Sequence, residues 1–372
     1  MLNPSFASGS DHAPERLFGK LGLLQRRSVI VAVSGGSDSL SLLILLHRWF
    51  VEHGRTDALV AVTVDHRLRV ESAEEARVVA AFCASRGIPH ITKVWFGEKP
   101  ETGLAAAARD ARYRLLIEAA CEAGSDIILT GHTQDDQAET VAMRAERAGG
   151  IGLAGMARET LLDGSVWLVR PLLGVSRAAL RAHLQAEGVG WIDDPSNNNL
   201  KAERVRVRAK LTPEKRVLLV EQARLAGIER RALSERAASL LAEHCTADAQ
   251  AVRIAPGFFQ TADRDAALQA FRLLLGTLGR QPHWPDLMRT TLLFDQLNQL
   301  GFSGSLSGCV VRHRRAGITI RPERRGNSDH EPITVMFAGK TLRPIVPGFD
   351  LAVINALATL LKARDLPAPP SS

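Results

Sequence analysis

A doubly wound parallel α/β sheet, followed by a helical domain and a small α+β C-terminal module, is the architecture this sequence predicts. Three observations lead there. Over the first 130 residues, short β-branched apolar runs alternate with longer stretches of helical period. The first run, Ser28–Val33, stops at a Ser-Gly-Gly turn that passes at once into a helix-like segment. The polar motifs of this half all begin where an apolar run ends: Ser34 after the first, Asp65 after the second, Gly131 after the fourth. Strand–helix alternation makes a parallel sheet, and such sheets bind ligands beyond the carboxyl ends of their strands.

Taken in order, the expected strands are Ser28–Val33, Ala58–Val64, His90–Phe96 and Asp126–Thr130, and the intervening helices Ser39–Glu52, Ser72–Ser85 and Ala105–Ala123. Gly87-Ile88-Pro89 is a helix stop signal. A fifth strand, Val166–Leu173, leads into a helix capped by Ser176 and stopping near Gly188. The polar loop Trp191–Asn199 follows. Helical texture returns at 211–247, Ala266–Leu278 and Leu287–Leu297; from Gly301 onward Gly/Ser turns separate strand-like pieces such as Cys309–Arg312 and Ile318–Arg321. The expected division is a flexible N-terminus over 1–20, an α/β domain over 21–210, a helical domain over 211–300, a C-terminal module over 301–365 and a disordered Pro/Ser-rich tail over 366–372.

At 372 residues with 45% hydrophobic content, the chain is long enough for two or three domains with real cores. No apolar run approaches the roughly 20 residues of a membrane span, and Met1–Lys20 has no apolar signal core. The four scattered cysteines, with no Cys-x-x-Cys pair, argue against a disulfide scaffold or zinc ribbon and fit a reducing cytoplasm. The net charge of +7 points to a polyanionic partner. Its placement says more: residues 201–236 carry 11 Lys/Arg against 5 Asp/Glu, which pairing along a helix explains in part. Residues 312–325 carry six Arg against Glu323 alone, which such pairing explains poorly.

The segment Ser34-Gly35-Gly36-Ser37-Asp38-Ser39 is the most informative. First-turn amides of a helix lack intrahelical partners and sit at the positive end of its dipole, so they hold phosphate well. Gly35 and Gly36 allow close backbone approach, the three serines add hydroxyls, and Asp38 offers a carboxylate for Mg²⁺. The Gly-Lys-Ser/Thr ending of a Walker A loop and the Gly-x-Gly-x-x-Gly dinucleotide fingerprint are both absent. A Ser/Gly turn that merely caps a helix would look similar. Val64-Asp65-His66-Arg67-Leu68-Arg69 could line a nucleotide pocket or form a charged surface loop. Thr130-Gly131-His132-Thr133-Gln134-Asp135-Asp136-Gln137-Ala138-Glu139-Thr140 puts Asp136 and Glu139 on one helix face; metal binding, recognition of a cationic substrate, and an ordinary acidic first turn all fit.

The Ser-Gly-Gly-Ser-Asp-Ser turn resembles the PP-loop of ATP pyrophosphatases, which cleave ATP between the α and β phosphates. With the Val64–Arg69 motif, Ala108–Tyr113, His132–Thr140, Asp194–Asn197 and Arg204-Val205-Arg206-Val207-Arg208, the order and spacing over roughly 25–210 resemble the tRNA(Ile)-lysidine synthase family; Gly152–Met156 and Arg170–Leu173 fit as well. The resemblance implies a PP-loop catalytic domain and a ligase forming a carbon–nitrogen bond. ATP would adenylate C2–O of the wobble cytidine in the isoleucine tRNA with a CAU anticodon, and the amine of free L-lysine would displace AMP. It implies Asp38 and Asp136 as catalytic and Mg²⁺-associated acids, and Ser34, Gly35, Gly36, Ser37, Asp38, Ser39, Asp65 and His66 as the ATP site. It further implies Glu139 as partner of the lysine ammonium, and Arg109, Arg112, Arg204 and Arg208 as phosphate or tRNA contacts. A cytoplasmic enzyme without membrane association and a homodimer complete that expectation, while tRNA contact by the C-terminal module is expected from its charge.

Two positions depart from the family pattern: Ala105, where Glu or Gln is usual, and Val205, where Asn is frequent. Two nearby alternatives lack their marks. A cytidine thiolase of PP-loop type would carry Cys-x-x-Cys pairs, and an amidotransferase-type ligase a glutaminase nucleophile context. A non-catalytic RNA-binding protein on this fold would not need the acids Asp38, Asp136 and Glu139.

Overall fold

The computed structural model describes residues 13–146, 153–193, 203–248, 250–279, 281, 284–323, 350–362 and 366–370. The expected elements at Asp194–Asn197, Gly152, Arg324 and Arg325 lie outside the described residues. Two compact units divide the chain. The first comprises 1–162, 166–227 and 367–372, the second 163–165 and 228–366.

The first unit is built on a six-stranded sheet. Its strands are β1 (Val29–Ala32), β2 (Leu59–Asp65), β3 (His90–Val94), β4 (Ile127–Thr130), β5 (Glu159–Leu162) and β6 (Val166–Val169), in the order β3-β2-β1-β4-β6-β5. The first four and β6 pair in parallel, with Val29 opposite Leu59 and Ile30 opposite Ile128. β5 adds an antiparallel edge on β6. Five helices follow strands or loops: α1 (Pro14–Phe18), α2 (Ser37–Glu52), α3 (Ser72–Ala84), α4 (Leu104–Glu122) and α5 (Gln134–Ala145). Then come α6 (Arg177–Ala186), α7 (Glu203–Lys210) and α8 (Pro213–His244). Because β4 is buried throughout and β1 over Val29–Val31, they read as continuous apolar runs rather than alternating ones. One face packs Ile30, Val62, Ile128 and Leu168 against Leu116, Ala119 and Ala120 of α4.

Strand order reverses at β1: the chain goes outward to β2 and β3, then returns to place β4 on β1's other side. Helices α2 and α5, which leave β1 and β4, therefore start side by side, at the switch point where α/β sheets take ligands.

The second unit has a five-stranded antiparallel sheet, β7 (Cys245–Ala247), β8 (Val252–Ile254), β9 (Ser303–Leu306), β10 (Cys309–Arg314) and β11 (Gly317–Pro322), in the order β7-β8-β11-β10-β9. Cys309, Val311, Ile318 and Ile320 bury against α9 (Arg264–Gly279), α10 (Leu287–Gln296) and α11 (Leu351–Leu361). This differs from the expected split between a 211–300 helical domain and a 301–365 module. Helices and sheet share one core, and the unit boundary falls within α8, after Gly227 rather than after Lys210. The flanks differ too. α1 lies within the segment expected to be flexible, and Pro367 and Ala368 of the expected disordered tail accept hydrogen bonds from Trp167 and Arg26.

Candidate active site

Each of the two switch-point helices starts with a different kind of cap. β1 ends in a turn where Gly35 takes φ +84°, the left-handed region open to glycine. A Cβ there would also lie 2.7 Å from Ile192 Cδ1, and Gly35 O accepts the Ile192 amide at 2.9 Å, so the loop is clasped by the 191–193 segment. Gly36 is the N-cap of α2 and supplies no side-chain cap, which leaves the first-turn amides to a ligand. Ser39 Oγ receives the Ser34 amide at 3.1 Å and donates to Gly36 O at 3.0 Å, so this hydroxyl holds the loop's own shape. Ser37 Oγ donates to Asp38 Oδ1.

α5 is capped by Thr133 in a reciprocal capping box with Asp136. Asp136 Oδ2 receives the Thr133 amide (2.9 Å) and hydroxyl (3.0 Å), while Oδ1 faces Arg177 Nη2 at 3.1 Å. The helix-cap reading and the functional reading thus hold for different oxygens of one carboxylate. Gly131, just before this cap, is required for close approach: a Cβ would stand 2.8 Å from the Asp38 carbonyl.

Arg177, which sequence reasoning missed, joins the two helices. It is the first residue of α6, behind the Ser176 cap. Its Nε donates to Asp38 Oδ2 at 2.9 Å, and its backbone amide to Asp135 Oδ2 at 2.8 Å. Glu139 is only 1% exposed; Arg208 Nε lies 2.6 Å from Oε1 and Arg204 Nε 3.0 Å from Oε2. Its carboxylate therefore fastens α7 to α5, and an ammonium reaches it only by replacing a guanidinium.

Burial, reinforced by Asp136, raises the Asp38 carboxyl above the usual range although Arg177 opposes it. Burial acts on Asp136 in the same sense, but Arg177, Arg204 and the Thr133 amide outweigh it and hold that carboxyl below its ordinary range. The lowered Asp136 carboxyl favours the anion, which suits it to holding a cation. No group of three or more His, Cys, Asp or Glu is placed to hold a metal among the described residues. Two carboxylates nevertheless fit Mg²⁺ that completes its shell with phosphate oxygens and water.

A second cluster lies at the neighbouring strand ends. Arg109 and Arg112 of α4 stand 5.0 and 5.2 Å from the Tyr113 ring centroid. Arg170, 2% exposed, donates through Nη1 to Ala157 O and Thr160 Oγ1. His132 pairs through Nδ1 with Thr130 Oγ1 at 2.9 Å; burial, then Arg170 and Arg112, push its pKa down to about 3, so the ring stays neutral. Burial would raise Tyr113, yet Arg112, Arg109 and Arg170 lower it. Among the described residues no carboxylate pairs with Arg109, Arg112 or Arg170, and Arg112 Nε is buried without a hydrogen-bond partner. Of the expected ATP residues, His66 borders this cluster, its ring edge-on to Trp95 and its pKa lowered by burial and Arg112. Asp65 does not offer its Oδ1 to a ligand: that atom accepts the Arg67 amide at 2.8 Å and Ser72 Oγ at 2.7 Å, fixing the turn into α3.

Comparison with known proteins agrees with this geometry. The model of the PP-loop domain family matches residues 11–215. A curated tRNA(Ile)-lysidine synthase of Mesorhizobium japonicum is 48% identical over 307 residues, covering 80% of this chain and 67% of its own. The Brucella ovis protein of the same name is 52% identical over 205 residues, 54% of this chain and 46% of its own. A U34-tRNA thiolase structure from Methanococcus maripaludis is similar at a TM-score of 0.48 and 19% identity, over 58% of this chain and 79% of that one. With a PP-loop helix facing the acids of α5 and a relative of 48% identity matched over most of the chain, the protein belongs to the tRNA(Ile)-lysidine synthase family of PP-loop proteins.

Proposed function

We propose that this chain ligates free L-lysine to C2 of the wobble cytidine of the CAU-anticodon isoleucine tRNA, consuming ATP and releasing AMP and pyrophosphate. The observation that carries the reading is the meeting of an uncapped helix N-terminus and two carboxylates, Asp38 and Asp136, at the reversal of strand order.

The cytidine C2 oxygen is a poor leaving group until it becomes a phosphate ester. In the first step that oxygen attacks the α-phosphate and pyrophosphate leaves. The amides of Ser37, Asp38 and Ser39, with the Ser34 and Ser37 hydroxyls, would receive the phosphates. Asp38 and Asp136 would hold Mg²⁺, whose charge would neutralise the departing pyrophosphate. In the second step the lysine amine attacks C2, AMP leaves with the former carbonyl oxygen, and the proton the amine gives up passes to solvent water. Glu139 is the acid nearest in kind to a lysine partner, and Arg208, about a third exposed, is the guanidinium an incoming ammonium would replace. Arg109 and Arg112 supply guanidiniums that have no carboxylate partner among the described residues, as recognition of RNA phosphates requires. In the second unit, Arg312 and Arg321 lie on the strand face opposite the core, giving a basic surface suited to tRNA.

The test is incorporation of labelled lysine into defined tRNAs with ATP and Mg²⁺. The CAU isoleucine tRNA should be labelled, a methionine tRNA with the same anticodon should not, and Asp38→Ala should cost roughly 100-fold or more in rate. Full incorporation by that variant would remove Asp38 from the mechanism.

A further inference from the structure

Arg177 stands on the two carboxylate oxygens that a divalent cation would use. Nε is 2.9 Å from Asp38 Oδ2, Nη2 is 3.1 Å from Asp136 Oδ1, and Nη1 is 3.8 Å from Glu139 Oε1. One planar fork therefore spans acids contributed by two helices, a geometry that suits guanidinium and not ammonium.

The backbone beneath this side chain is fixed from several directions. Its amide donates to Asp135 Oδ2 at 2.8 Å, Gln134 donates to Val175 O at 2.9 Å, and Ser41 Oγ on α2 donates to Leu180 O at 3.2 Å. The freedom that remains lies in the side chain, which is 19% exposed. Arg204, engaged on Glu139 through Nε, comes only to 4.0 Å of Asp136 Oδ1, and Arg208 is engaged on Glu139, so neither bridges Asp136 to Asp38 as Arg177 does. Among the described residues, Arg177 is the one cationic side chain within ion-pair reach of Asp38.

A guanidinium and a divalent cation cannot share the same oxygens, because two cations in contact repel strongly in a partly buried site. Nucleotide phosphates change that balance, since they offer the fork a bidentate anion and the metal further oxygen ligands. We propose that Arg177 is a positioning residue that occupies the Asp38–Asp136 pair and gives it up to a divalent cation only when nucleotide phosphates take over its guanidinium. The cation then enters with ATP and not ahead of it. This rests on the reading above that Asp38 and Asp136 hold the cation that serves ATP.

The experiment is Mn²⁺ binding to the full chain, followed by water-proton relaxation enhancement, which separates protein-bound Mn²⁺ from Mn²⁺ on free nucleotide. It is run with and without a non-hydrolysable α,β-methylene analogue of ATP, on the wild type, Arg177→Met and Arg177→Lys. Without nucleotide, Arg177→Met should bind Mn²⁺ tighter than the wild type by roughly tenfold or more, and the analogue should add little to it. The wild type should gain at least as much from the analogue, and Arg177→Lys, spanning one carboxylate at a time, should fall between. Equal Mn²⁺ affinities of wild type and Arg177→Met without nucleotide would overturn the proposal. Should Arg177→Met fail to fold, Arg177→Lys and the wild type decide: a wild-type affinity indifferent to the analogue overturns it. Absence of Mn²⁺ binding in every protein, analogue included, removes the cation reading itself and the proposal with it.

Discussion

Two arginine clusters sit at the strand ends of the first unit, and they are built on opposite principles. Around α5, Arg177, Arg204 and Arg208 are each paired with a carboxylate, so charge is balanced within the protein. Around Tyr113, Arg109, Arg112 and Arg170 have no acidic partner among the described residues, and their field adds to burial in keeping His132 neutral. Self-neutralised arginines shape a site, whereas uncompensated ones wait for an anion. Number of arginines alone would not separate the two; pairing does.

The largest effect that tests this contrast is expected at Glu139. Glu139→Gln leaves Arg204 and Arg208 without their charge partner, and the loss should reach about 3 kcal/mol, the low end for breaking a buried pair because both guanidiniums are partly exposed. Urea midpoints measure it, and the same variant should need far more lysine for half-maximal rate while its ATP requirement moves little. An unchanged midpoint would mean that the first cluster is not held by its pairing. A smaller effect is expected at Arg112. Arg112→Met should leave the urea midpoint nearly unchanged and reduce the slope of log tRNA affinity against log salt by about one. A slope that stays put would place this guanidinium outside the RNA contact.

A third test of the contrast is a pH dependence. His132 is held neutral in the fold with a pKa of about 3, against 6.5 unfolded. Between those values the unfolded chain binds the extra proton, so this ring's contribution is whole above pH 6.5 and is lost as pH falls toward 3. His132→Gln should flatten the decline of stability over that window, as read from urea midpoints at pH 7, 5.5 and 4. A decline as steep as that of the wild type would assign the acid sensitivity to other groups.

Much of the first unit was legible because its signals are local. The β-branched runs, the Gly turn and the Ser176 cap each lie within a few residues, and the observed elements begin and end close to them. Arg177 was not legible, since nothing around a helix's first residue says which acids 41 and 139 positions away it will meet. Tyr113 and Arg170 belong to segments that match the family pattern, but their meeting in one cluster appears only once the fold brings them together. Asp65 misled in the other direction: it looks like a pocket acid, but its Oδ1 closes a turn seven residues long onto Ser72. In the second unit, β7 and β8 are three residues each, too short for an alternation to register, which is why the stretch reads as purely helical.

The glycine at 131 has a mechanical consequence. With no side chain there, the end of β4 rests directly on the backbone of the first turn of α2, at a spacing too small for a Cβ. The jaw that carries Asp38 and the jaw that carries Asp136 are therefore gauged by main chain against main chain, not by a compressible side chain. A methyl group inserted at 131 would act as a wedge, opening the two jaws together and lengthening the span that one arginine fork bridges today.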